Sequence, residues 1–363
     1  GILSMAKVVG VTTGLCSGKN LVITGCTAGI GEAAALQLAP LGCKNLILLN
    51  RSKEKTEHLV ESLTLANTKL HTVIADLGEP DQVRRAVDEI KDILGDEALH
   101  FLVSNAGIWQ ADKKKFAECK TKPLTNSKGH EIHFATNHLS MVILCQGLQT
   151  CLEKASDSGQ LGRVIITGSF TTWEMAKGSI QWDNLDGTGK KGCGTSPMMN
   201  TIMYPQSKLC QHIWARDFAK KVAGKVHVIV WCPGAVETNI DAWQTLKKMF
   251  PCTCCFHCLM KPRNSDMAAN IARVLCNEIS AQDLDRVQNE LNGGEAGIYC
   301  DCNKTGMPKI EKILAGLASG NKKKGLMSKL EEYPTYGWKV APDTQNWETV
   351  NKVMAETESR LRM

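Results

Sequence analysis

An apolar run from Asn20 to Gly25 passes through the turn Thr24-Gly25-Cys26-Thr27-Ala28-Gly29-Ile30-Gly31 straight into a helix-forming stretch, Glu32 to Ala39. Strand, glycine turn and helix in that order constrain the fold more than any other feature of the chain. Glycines let a backbone turn tightly and approach a ligand, and the helix N-terminus that follows presents free N–H groups and a positive dipole end. A pyrophosphate suits that arrangement. A glycine cluster standing alone reads equally well as a tight structural turn; here the flanking strand and helix favour the nucleotide.

The same alternation continues downstream. Short β-branched or leucine-rich runs (Asn45 to Asn50, Leu70 to Asp76, Leu99 to Asn105) alternate with helical stretches, the pattern of βαβ units and a parallel sheet. The clearest helix follows Pro80, where Asp81 is placed to cap and Val83, Ala86, Val87, Ile90 and Leu94 recur at helical spacing. Further on, the periodicity predicts a long helix from Ser127 to Leu152, a strand from Arg163 to Gly168, a helix from Ile202 to Val222 and a strand from Val226 to Trp231. A helix at Ser265 to Asn277, a short strand at Gly297 to Cys302 and a terminal helix from Thr344 complete the pattern. Segments 111–122, 183–201 and 242–263 break it locally and read as insertions.

Length and composition set outer limits. The 363 residues suffice for one large α/β domain or two medium ones, and 43 Lys+Arg against 37 Asp+Glu leave a charge of only +6. That balance does not call for nucleic acid or an anionic membrane as partner, and Lys113 to Lys115 and Lys322 to Lys324 read as solvated loops. No apolar run approaches the roughly 18 residues of a membrane span. The start of the chain lacks a secretory pattern, so its 16 cysteines are expected to be reduced thiols in the cytoplasm, with peripheral contact to an intracellular membrane as an option.

Tyr204-Pro205-Gln206-Ser207-Lys208 places a phenol and an ammonium on one helix face. A lysine so placed is expected to favour the ionised phenol and lower its pKa toward the range of a general acid or base. Ser169 ends the fifth strand, Asn105-Ala106-Gly107 ends the fourth, and Asn137 lies in the long helix. Ligands of open parallel sheets bind at the carboxyl ends of strands, where Ser169 and Asn105 fall. After the second strand, where an acidic residue would bind an NAD ribose, stand Asn50 and Arg51; a cation there favours the 2′-phosphate of NADP(H).

As a set, the glycine turn, Asp76-Leu77, Asn105-Ala106-Gly107, Asn137, Ser169, Tyr204 to Lys208 and Pro233-Gly234 with Thr238 resemble the short-chain dehydrogenase/reductase family over residues 18 to 303. Asn137-His138-Leu139, Ser207 to Cys210 and Gly297 to Cys302 resemble its retinol dehydrogenase-like branch and the oxidoreductase domain of the WW-domain oxidoreductase; protochlorophyllide oxidoreductases are a weaker likeness. The resemblance implies a single Rossmann-type, doubly wound domain with a seven-stranded, mostly parallel sheet over residues 18–320. An extension at 1–17, a substrate lid at 239–264 and a lysine-rich tail with a terminal helix at 321–363 would surround it.

It also implies roles. Tyr204 would be the general acid, Ser169 a donor to the developing oxyanion, Lys208 the holder of the nicotinamide ribose, and Asn137 the anchor of a relay water. Thr24, Gly25, Thr27, Gly29, Ile30, Gly31, Arg51, Asp76, Leu77, Asn105, Ala106, Gly107, Pro233, Gly234 and Thr238 would line NADP(H), with Asp76 near adenine and Thr238 near the carboxamide. The substrate implied is a small apolar carbonyl or alcohol of retinoid, steroid or lipid type. Two departures stand out: Gly168 occupies a position where the family often has serine, and the Ser169 to Tyr204 interval is long. A silent NADPH-binding regulator is the rival reading, against which stands the retention of Ser169, Tyr204 and Lys208 together.

Other clusters are ambiguous. His130-Glu131-Ile132-His133 suggests a metal, but no third ligand is evident and no metal is expected. Cys252 to Cys258 reads as an apolar lid, a palmitoylation site or a zinc cluster, and all three stay open. Met198, Met199 and Met203 suit either a pocket wall or the core. Oligomeric state is left open.

Overall fold

Both faces of the predicted strands are apolar, which requires a sheet covered on both sides. The computed structural model builds that sheet; it describes residues 14–109, 123–169, 171–174, 179–187, 203–233, 236, 238, 276, 298–300 and 346–362. Strands β1 (Asn20–Thr24), β2 (Asn45–Asn50), β3 (Lys69–Ile74), β4 (Phe101–Ser104), β5 (Gly162–Thr167) and β6 (Val226–Trp231) lie in the order β3-β2-β1-β4-β5-β6, every pairing parallel. A three-residue strand, β7 (Ile298–Cys300), pairs parallel with β6 through Ile229 and Ile298. All residues of β1, β2, β4, β5 and β6 are buried, whereas β3 alternates toward solvent as an edge should.

Alternation along the strands sorts the core into two layers. Leu21, Ile23, Phe101, Val103, Ile165 and Ile229 face α1 (Gly29–Leu38), where they meet Ala33, Ala34 and Leu38. Val22, Leu102, Val164, Ile166, Val228 and Val230 face the other way. There they pack with α3 (Pro80–Leu94), α4 (Ser140–Gly147) and α5 (Met203–Lys221) through residues such as Val87, Ile90, Val142, Trp214 and Phe218. Helix α2 (Lys53–Ser62) begins at Ser52, whose Oγ accepts from the Lys55 N–H at 3.3 Å. The order in which strands are added to the sheet reverses between β1 and β4, and the crevice at their carboxyl ends is where an open α/β sheet binds ligands.

Three local readings are corrected. Asp81 does not cap α3: Glu79 holds the cap position without a side-chain bond, Pro80 takes the first helical position and Asp81 sits in the first turn. The predicted helix from Ser127 to Leu152 is broken into pieces. A bridge pairs Thr125 with Glu131, Phe134–Leu139 is π-helical, α4 follows, and Leu148 leaves the helical region before a short turn at Gln149–Glu153. The terminal helix, α6, runs from Trp347 to Arg362 with Asn346 Oδ1 accepting from the Glu348 and Thr349 N–H groups at 3.0 and 3.4 Å.

Helix α6 packs on the far side of the π-helical segment and α5, its Val350 and Val353 joining Phe134, Leu139, Leu209 and Ile213 in a third apolar cluster. His138 Nε2 and Thr357 Oγ1 are 2.8 Å apart in that contact, and the Arg360 guanidinium lies 5.0 Å from the Phe134 ring centre. Residues 1–13, 110–122, 188–202, 239–275, 277–297 and 301–345 lie outside the described residues, and with them Met198, Met199, Cys252 to Cys258, both lysine runs and all but one residue of the helix expected from Ser265 to Asn277.

Candidate functional site

The glycine turn is locked to the end of β4. Thr24 Oγ1 accepts from the Asn105 and Ala106 N–H groups at 3.0 and 2.9 Å, while Asn105 Nδ2 donates to the Thr24 and Gly25 carbonyls at 3.2 and 3.3 Å. Thr24 and Asn105 thus spend their side chains holding two strand ends together. Gly25 has φ +69°, and a Cβ there would sit 2.8 Å from Ala106 Cα. At Gly31 the added carbon would lie 2.1 Å from the Gly25 carbonyl oxygen and 2.5 Å from Asn105 Nδ2, so no side chain fits. Ala28 leads into α1 with no side-chain cap, which leaves the helix N-terminus facing the crevice with its own N–H groups. Thr27, Gly29 and Ile30 are half-buried along that turn.

Ser169, Tyr204, Lys208 and Asn137 converge at the carboxyl ends of β4 and β5. Tyr204 and Ser169 are hydrogen-bonded, and Ser169 Oγ is 2.9 Å from Thr171 Oγ1. Lys208 Nζ donates to the Thr167 carbonyl at 2.8 Å and stands 6.0 Å from the Tyr204 ring centre. Asn137 Oδ1 accepts from the Ile108 N–H at 2.8 Å; its Nδ2 donates to the Ile108 carbonyl at 3.1 Å and to Ser207 Oγ at 2.9 Å. The main-chain carbonyl of Asn137, released by the π-helical turn, accepts from Gln211 Nε2 at 2.6 Å. A Cβ on Gly107 would touch Asn137 Oδ1 and Lys208 Nζ at 3.3 and 3.4 Å, so that backbone runs directly beside both.

The electrostatics differ from the expectation for Tyr204. Burial pushes the phenol up to about 12, the hydrogen bond with Ser169 opposing it and Cys232 adding to the rise. Lys208 does not lower it because its ammonium is directed to the Thr167 carbonyl and is itself pushed down to about 8 by burial, against the pull of Cys232. The site therefore keeps a proton on the phenol.

The remaining predicted residues surround the crevice. Arg51 is largely exposed with its guanidinium 3.9 Å from the Asp76 carboxylate. Asp76 Oδ1 accepts from the Gly78 N–H at 2.8 Å, and Leu77 is turned into the core. Asn50 Oδ1 accepts from the Cys26 N–H at 2.6 Å, but its buried Nδ2 has no partner. Thr238 approaches Gly29, where an added Cβ would lie 3.1 Å from its Cγ2; Pro233 is buried, and Gly234 lies outside the described residues.

Two features of the site escaped the motif reading. Trp109 stacks flat on Tyr204, ring centres 4.5 Å apart and planes 3° apart. His212 explains Gly168: a Cβ at that position would lie 2.4 Å from its Nε2, leaving no room for a serine. Tryptophan two residues past a glycine, and histidine one turn past Lys208, carry no signal without the fold. His133 is held structurally, since Glu131 bonds its Nδ1 at 2.7 Å and the Phe134 N–H at 2.9 Å, while His130 Nε2 is buried without a hydrogen-bond partner; among the described residues no group of three metal-binding side chains forms.

Residues 19–180 match the family described as short chain dehydrogenase. Protochlorophyllide reductase of Marchantia paleacea is 32% identical over 56% of this chain and 45% of its own length; mouse retinol dehydrogenase 11 is 25% identical over 66% and 70%. Human retinol dehydrogenase 13 is 29% identical over 63% and 64%. The match thus spans less than half of the first relative and about two thirds of the others. Among solved structures, a short chain dehydrogenase from Burkholderia cenocepacia in complex with NADP superposes with a TM-score of 0.54 at 19% identity, covering 80% of this chain and 99% of that one. NADPH bound carbonyl reductase from chicken fatty liver does so with 0.54 at 17%, covering 80% and 98%. At such identities the likeness is one of fold.

Proposed function

We propose that this chain, whose residues 19–180 match the short chain dehydrogenase family and which has retinol dehydrogenases among its relatives, is a short-chain dehydrogenase/reductase, an NADP(H)-dependent oxidoreductase acting on apolar carbonyl compounds or the corresponding alcohols. The observation that carries this reading is the convergence of Ser169, Tyr204, Lys208 and Asn137 beside a glycine turn that no side chain could occupy.

The residues fit a dinucleotide. The uncapped start of α1 suits a pyrophosphate, the buried and unpartnered Asn50 Nδ2 offers a donor near the glycine turn, and the backbone at Gly107 runs beside the Lys208 ammonium. Arg51 would hold a 2′-phosphate, exchanging its long contact with Asp76 for a shorter pairing of opposite charges. Thr27, Ile30, Asp76, Leu77, Ala106, Pro233, Gly234 and Thr238 complete the expected lining. When bound, the cofactor supplies the hydride. Tyr204 gives its proton to the carbonyl oxygen, Ser169 donates a hydrogen bond to that oxygen as its charge grows, and Lys208 holds the ribose. Asn137 fixes the Ile108 backbone and the start of α5 through Ser207. A phenol that retains its proton at neutral pH favours reduction, whereas alcohol oxidation requires that proton to leave first.

The test follows NADPH oxidation against a panel of apolar aldehydes and ketones. Wild type should turn over members of the panel, and Tyr204→Phe should lose activity by orders of magnitude while still binding NADPH. Equal inertness of both proteins with NADPH bound would overturn the enzyme reading in favour of a cofactor-sensing regulator. Among the described residues no helix is long and apolar enough to cross a membrane.

A further inference from the structure

Beside the phenol lies a group that the hydride chemistry does not use. The Trp109 indole covers one face of Tyr204 at a ring-centre distance of 4.5 Å, and its Nε1 is buried without a hydrogen-bond acceptor. The position is built. Both backbone groups of Ile108, the residue before it, are held by the Asn137 amide at 2.8 and 3.1 Å, so the indole is fixed to the segment that carries the site. An indole N–H only donates, and a buried donor left unpaired costs free energy that an acceptor in the right place recovers. Near a reacting carbonyl, that acceptor belongs to the substrate.

We propose that Trp109 determines substrate specificity, its indole forming a flat wall beside Tyr204 and its N–H binding a second oxygen on the substrate. The substrate class is then an apolar compound with an acceptor oxygen near the carbonyl that is reduced, such as a vicinal dicarbonyl. The flat ring favours a planar, conjugated body packed against it. This inference rests on the oxidoreductase reading for the identity of the site, but binding can be measured apart from turnover.

Two probes that differ in one oxygen separate the effects: 1-phenyl-1,2-propanedione and propiophenone. Their affinities for the NADP⁺-saturated protein are measured by calorimetric titration and their kcat/KM values with NADPH. Trp109→Phe keeps an aromatic ring on Tyr204 and deletes the N–H. It should weaken the dione by about tenfold, the scale of one hydrogen bond, and leave propiophenone within about twofold. If the Phe variant does not fold, Trp109→Tyr fills the same plane and serves in its place. A wild type that binds neither probe, that shows no preference for the dione, or that loses both probes equally on substitution overturns the proposal. Dione binding that depends on Trp109, without hydride transfer, supports it and overturns the oxidoreductase reading. Absence of NADP(H) binding would refute that reading by itself.

Discussion

Gly168→Ala should destabilise the protein for a reason that a second substitution can remove. The new Cβ would lie 2.4 Å from His212 Nε2 and 3.1 Å from Val230 Cγ1. An ordinary carbon–nitrogen contact is about 3.4 Å, so the imidazole must retreat by about 1 Å within a close-packed interior. Overpacking of that kind costs about 1–3 kcal/mol. Gly168 does not use a positive φ, so alanine brings no backbone strain of its own. Where the space is free, replacing glycine by alanine stabilises by about 0.4–1 kcal/mol through the unfolded chain. In a His212→Ala background the same change should therefore be neutral or stabilising. Urea unfolding of the wild type, both single variants and the double variant closes the cycle, with a coupling of about 1–4 kcal/mol that opposes the single effects. An equal loss in both backgrounds would refute the steric account. Because Gly168 immediately precedes Ser169, the single variant should also lower kcat, and the double variant should recover part of it.

Other outcomes follow from groups already placed. Arg51→Asp should move the cofactor preference from NADP(H) toward NAD(H), read as the ratio of the two kcat/KM values; an unchanged ratio would remove Arg51 from the cofactor site. His138 is fully buried, and burial, with the nearby Arg360 adding to the effect, pushes its pKa down to about 3. Its folded pKa lies below the unfolded value, so the unfolded chain takes the proton first and stability is lost as pH falls from about 6.5 toward 3, by about 2 kcal/mol at pH 5. His138→Asn should flatten that slope in urea titrations compared at about pH 7 and about pH 5. Thr357→Val should cost about 1–3 kcal/mol by leaving His138 Nε2 unpaired, and Thr357→Ser should restore most of it. With Tyr204 protonated at neutrality, alcohol oxidation should rise about tenfold per unit between about pH 6 and 7.5 while carbonyl reduction stays nearly level.

What could be read from the residues, and what could not, follows the range of each interaction. The strands were legible because burial on both faces leaves unbroken apolar runs such as Val226 to Trp231, and the glycine turn because backbone contact at Gly31 tolerates nothing larger. Tyr204 and Lys208 share a helix, so their spacing alone brought them together. The direction of the Tyr204 shift was misjudged because spacing gives proximity and not the competitor: Thr167, on another strand, takes the Lys208 ammonium. The π-helical stretch was invisible for a related reason. A helix that widens by one residue to release the Asn137 carbonyl keeps much the same apolar pattern as a regular one. Thr24 and Asn105 read from the sequence as cofactor lining, and a motif gives no sign that their hydrogen bonds join β1 to β4 across 81 residues of sequence.

The contact between α6 and the π-helical segment has a consequence for how the molecule matures. Thr357 follows His138 by 219 residues, so during synthesis the Asn137 segment exists long before the helix that backs it. The parallel sheet from β1 to β6 can pair in the meantime, since its strands are complete at Trp231. A nascent chain would thus pass through an interval in which the scaffold is assembled while the rear of the reaction centre is still wet, with His138 bonded to water. Competence for chemistry would arrive late and in one step, when α6 docks and excludes that water.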